Sequence, residues 1–153
     1  VFESLVDVYI TDARIFSIYE GTTQLQVVAA IRYITNGTYL AIMKEMLERE
    51  VSEDMKPLHV RVAKMIELYE QSLEYVKQAE NQEVLDFLAR RLYDMTADIL
   101  MSLLIIGDAT ASPELFAKSA QVYVRYAEEE VIGHSCYVKS FIAEDLVNFR
   151  AAE

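Results

Sequence analysis

The chain has 153 residues and a formal net charge of −11. A surface that acidic repels a phosphate backbone, which excludes nucleic-acid binding as its main task. Although 53% of the residues are apolar, no stretch approaches the roughly 20 apolar residues of a membrane span, and no basic segment leads into a short apolar block as in a signal peptide.

Gly (4) and Pro (2) are scarce, which favours helix over sheet. In Val1 to Ile10, Phe2, Leu5, Val6 and Tyr9 fit a helix, whereas Val6, Val8 and Ile10 fit a strand; helix to about Arg14 is the preferred reading. Gly21 punctuates the chain, and Thr22 or Thr23 can cap the next helix. There Leu25, Val28 and Ala29, with Arg32 and Tyr33, line one side. Asn36-Gly37 marks a helix end or a break, and Leu40, Met43, Met46 and Leu47 resume the pattern, as one kinked helix or two. Ser52 is a possible cap and Pro57 suits a first turn.

Beyond Pro57, Leu58, Val62, Ile66, Tyr69, Leu73 and Val76 recur at alternating spacings of four and three, a bundle seam. Asn81 caps the next helix, which carries Leu85, Leu88, Leu92, Met95, Ile99 and Leu103 and ends near Gly107. Asp108 to Ala111 reads as a loop, and Ser112-Pro113-Glu114 as a strong helix start. The last long helix uses Phe116, Ala120, Tyr123 and Ala127, with Glu128-Glu129-Glu130 as a solvated face. It either continues or breaks at Gly133, then runs through Tyr137, Phe141 and Leu146. The expectation is an all-α, antiparallel bundle of four to five long helices, preceded by a short N-terminal helix and loop. The boundary falls at Asn36: residues 1–36 form one unit and 37–153 a four-helix unit.

A single cysteine, Cys136, excludes an internal disulfide and makes a reducing cytoplasm the default compartment. It reads as a half-buried, inert thiol. Di-iron bundles need Glu-x-x-His pairs, and neither His59 nor His134 follows a Glu by three residues. No metal site is therefore expected, and Met43, Met46, Met65, Met95, Tyr69 and Tyr123 read as core.

Glu20, between Tyr19 and Gly21 at a helix entry, can serve as a general base if desolvation raises its pKa. It can equally be an exposed loop acid or a partner of the next helix dipole. The longer string decides more. Asp12-Ala13-Arg14-Ile15, two further residues, Ile18-Tyr19-Glu20-Gly21-Thr22 and then Gln24-Leu25-Gln26 resemble the C-terminal signature of the acyl-CoA dehydrogenases. One departure is Thr11, where the family commonly has Arg.

The resemblance implies that Glu20 removes the α-proton of an acyl-CoA while the β-hydrogen goes to the flavin of FAD, giving a trans-2-enoyl-CoA. It implies that the Glu20 backbone N–H donates to the thioester carbonyl, that Gly21 admits the substrate closely, and that Thr22 and Gln24 touch FAD. Tyr19 is expected to pack beside the base, Gln26 to orient the segment and Arg14 to anchor it. Electron-transfer flavoprotein is the implied electron acceptor and a homodimer the implied assembly. From about Thr38 onward the pattern resembles the additional C-terminal helical domain of larger members, which aids membrane association in some; the acidic charge here disfavours an anionic membrane. The chain starts at Val1 and is short for a complete flavoenzyme of this kind, so it reads as a C-terminal fragment, inactive alone. The rival reading is a non-enzymatic helical bundle for dimerisation or partner docking.

Overall fold

The computed structural model describes residues 23–149. They form α1 (Thr23–Thr35), α2 (Thr38–Leu47), α3 (Lys56–Gln78), α4 (Gln82–Ala111), α5 (Pro113–Ser140) and the short α6 (Leu146–Phe149), with 3₁₀ turns at Glu53–Met55 and Ala143–Asp145. Among the described residues every regular element is helical, so the all-α bundle is the observed fold. At 30 residues, α4 is about 45 Å long, and α1, α2, α3 and α5 all pack against it.

The side-chain contacts fix the direction of each helix. Ser72 meets Ser135, Lys139 meets Gln71 and Arg61 meets Glu128, so α3 and α5 run parallel. Tyr123 meets Asp98 and Phe87 stacks on Phe141, so α4 runs antiparallel to α5. The turns agree with their residues. Asn81 accepts from the N–H groups of Glu83 and Val84 at 2.9 and 3.3 Å, the N-cap that its position suggests. Gly37, at φ 84°, ends α1 and starts α2, so the Asn36-Gly37 break makes two helices. Asn36 Oδ1 pins that corner by accepting from the N–H and the hydroxyl of Thr38 at 2.9 and 2.7 Å.

All six seam residues of α3 are buried, joined by Met65 and Ser72, and so are Leu88, Leu92, Met95, Ile99 and Leu103 of α4. The α5 face departs from the expected one. Phe116 is 38% exposed and Tyr123 half-buried, while Ala120, Val124, Ala127, Val131, Ser135 and Val138 form the buried stripe. These are small side chains. They let α5 approach α3 and α4 closely, whereas a ring at each position would hold the axes apart. Within that contact Ser72 donates to Leu68 O at 2.7 Å, so Ser135 supplies the proton of the 3.0 Å Ser135–Ser72 bond.

Four further expectations are corrected. The buried side of α1 is Val27 and Ile34 with Ala30 and Ile31 partly covered, while Ala29, Arg32 and Tyr33 face solvent. The stripe 27–30–31–34 is apolar throughout, whereas the expected one ends on a charge. Next, α4 passes Gly107 and reaches Ala111 because Ile106 and Ala109 both sit in the core, which offsets the roughly 1 kcal/mol cost of a helical Gly. It stops at Ser112 (φ −142°, ψ 72°), since a residue before Pro is driven out of the helical region. Third, α5 continues through Gly133 to Ser140, and Phe141 and Leu146 are buried beyond its end. Lastly, Cys136 is exposed, and the Glu128–Glu130 run is not wholly solvated, because Glu128 is half-buried and pairs with Arg61.

Candidate functional site

Glu20, Gly21 and Thr22, with Tyr19 and Arg14, lie outside the described residues. Gln24 falls in the first turn of α1, and its side chain and that of Gln26 lie outside them as well. The structure does fix the helix that the motif leads into. Because α1 starts at Thr23, the backbone N–H groups of its first turn have no acceptor inside the helix and point out of its N-terminal end. That turn holds no acidic side chain, so its positive dipole end is uncompensated from within. A carboxylate or phosphate suits such an end, and the residues that the resemblance assigns to substrate and FAD adjoin it. Val27 and Ile34, both fully buried, anchor α1 along α4. The helix entry thus stands on a fixed support.

Two polar constellations elsewhere have no counterpart in the sequence reading. Between α4 and α5, the Tyr123 hydroxyl donates to Asp98 Oδ1 at 3.3 Å. Burial raises the Asp98 pKa above the usual carboxylate range; Tyr123 and His134 oppose that shift, and Glu130 and Asp94 add to it. Burial, then the Asp98 charge, pushes the Tyr123 phenol up to about 12. Since Asp98 and Tyr123 stand on different helices, no local spacing announces them. At the other end of the bundle, His59, Arg49, Asp108 and Thr110 join Met46 and Ile106 around a cavity of about 290 Å³. The His59 Nε2 is buried there without a hydrogen-bond partner. Among the described residues, no group of three or more His, Cys, Asp or Glu side chains is placed to hold a metal ion.

A family profile described as the acyl-CoA dehydrogenase C terminal matches residues 35–146. The chain belongs to the acyl-CoA dehydrogenase family. The profile begins after the string Asp12–Gln26, so the motif and the bundle point to this family separately. The chain is also similar to the crystal structure of the acyl-CoA dehydrogenase family protein from Porphyromonas gingivalis, with a TM-score of 0.70 and 37% identity. That likeness covers 74% of this chain and 98% of the other, so the solved chain is scarcely longer than the shared part. A search of curated proteins gave no match. Within the described residues of this acyl-CoA dehydrogenase chain, no helix is long and apolar enough to cross a membrane.

Proposed function

We propose that this chain is the C-terminal part of an FAD-dependent acyl-CoA dehydrogenase, with Glu20 as the base that takes the α-proton of the acyl thioester. The observation that carries the reading is a catalytic-type motif directly ahead of helices that belong to the family. The Glu20 carboxylate removes the proton, and its own backbone N–H donates to the thioester carbonyl as negative charge develops there. Gly21 leaves room for the substrate at the backbone. Thr22 and Gln24 hold FAD beside the entry to α1, where the free N–H groups of the helix favour an anionic group. FAD, when bound, accepts the β-hydrogen as hydride, and the product is a trans-2-enoyl-CoA. Electron-transfer flavoprotein is the proposed acceptor of the electrons.

In the same reading residues 1–36 complete a catalytic domain and 37–153 form an added helical domain, with the Gly37 corner as their junction. The buried side chains of α1 tie the two, since Ile34 belongs to the same core as α3, α4 and α5. The assigned residues span only Glu20 to Gln24, too short a surface to enclose a flavin and a thioester. This chain alone should therefore turn over no acyl-CoA, even with FAD and an artificial acceptor. In the complete dehydrogenase, Glu20→Gln should cut α-proton exchange by about 10²- to 10⁴-fold while flavin absorbance stays with the protein. Exchange at the wild-type rate would remove Glu20 from the role.

A further inference from the structure

Charge is unevenly spread along α5. The chain carries 25 Asp and Glu residues, yet none lies between Glu114 and Glu128, where Lys118 and Arg125 stand alone. Both cations are exposed, and neither is in an ion pair among the described residues. They flank an apolar row that the core does not use: Leu115, Val122 and Tyr126 are 68%, 72% and 56% exposed. Their spacing places them on one side of α5, turned away from Ala120, Val124 and Ala127. A hollow of about 500 Å³ opens beside the row, between Ile105 of α4 and Ser119, Tyr123 and Tyr126 of α5. Single exposed apolar residues are ordinary, but a contiguous row beside a hollow marks a contact surface.

We propose that this face receives a second copy of the chain, with α5 packed antiparallel on α5 about a two-fold axis at Val122. Two bodies of net charge −11 repel over most of their surfaces, and this stretch of long helix presents no carboxylate. The row is also self-complementary, as a two-fold contact requires. With Val122 on the axis, Ala111 comes opposite Gly133 of the other copy, so small residues meet at both ends. Leu115 comes opposite Glu129, which lies within one turn of the other copy's Lys118. Tyr126 comes opposite Lys118, so each ring enters the other copy's hollow with an ammonium at its face. From Ala111 to Gly133 the row is about 33 Å long. With the flank of α4 it offers roughly 500 Å² per copy, about 1,000 Å² in all, the lower edge for a specific interface. The dimer is therefore a reversible one, formed at micromolar concentration.

Sedimentation equilibrium of the full 153-residue chain from low to high micromolar concentration tests this. A monomer–dimer equilibrium is expected, and Val122→Lys, which sets like charges on the axis, should weaken it by about a hundredfold or more. Val60→Lys, on an exposed position of α3, should leave it unchanged, and far-UV circular dichroism should show both variants folded. In a Cys136→Ser background, mild oxidation should cross-link Val122→Cys but not Val60→Cys, because facing α-carbons at the axis come within disulfide reach. A wild-type chain that stays monomeric, or a dimer insensitive to Val122→Lys, overturns the proposal. The face would then belong to residues 1–22 of the chain or to an unlike partner.

Discussion

Replacing Tyr69 by Phe should stabilise the bundle. The ring of Tyr69 is 0% exposed at the centre of the α3 seam, and its hydroxyl has no partner within hydrogen-bond distance. Burial raises its pKa, and the Thr96 hydroxyl is the neighbouring polar group that opposes the shift. Thr96 already donates to Leu92 O at 2.8 Å, so only its lone pairs remain for Tyr69. A buried hydroxyl without a partner costs about 1–3 kcal/mol. Phe keeps the ring contacts and removes that cost, so the expected gain is about 1 kcal/mol, or about 3 °C in Tm for a domain of this size. Thermal and urea unfolding followed at 222 nm give the number, with the m-value unchanged. A loss of 1 kcal/mol or more would refute the reasoning, since it would mean that the hydroxyl is bonded. A Tyr69→Phe, Thr96→Val double-mutant cycle would then show the coupling.

The Asn81 cap should be worth about 1 kcal/mol, read as the loss in urea stability on Asn81→Ala, because the N–H groups of Glu83 and Val84 lose their acceptor. The Asp98–Tyr123 pair should make stability fall in alkali. Tyr123 in the folded chain titrates at about 12, against about 10 for a free tyrosine, so the folded state holds the phenolic proton more tightly. Stability from this group is complete below pH 10 and declines as pH rises from 10 through 12. Tyr123→Phe should flatten that part of the pH–stability curve, and an unchanged slope would contradict the assigned cause.

Regular apolar spacing made α3 and most of α4 legible in the sequence, because large side chains at positions three and four apart leave little choice of buried face. The same rule missed α5, where Phe116 and Tyr123 stand out by size but the buried stripe is Ala, Val and Ser. Small residues signal close approach only once a neighbouring helix is known. Gly107 misled for a related reason, since its helix is held by Ile106 and Ala109, whose burial depends on distant partners. The candidate site was legible in a different way. Glu20, Gly21, Thr22 and Gln24 stand out through a string of defined residues, not through periodicity, and pairs such as Asp98 with Tyr123 arise only when two helices meet.

The single-residue corner at Ser112 bears on how the chain folds. It joins the 30 residues of α4 to the 28 of α5, so bringing these helices together closes almost no loop and loses little chain entropy. Their contact is local in sequence, which favours an early helical hairpin. The parallel packing of α3 on α5 must instead span the whole of α4. Assembly therefore runs from the hairpin to α3, with α1 and α2 settling last along the completed groove.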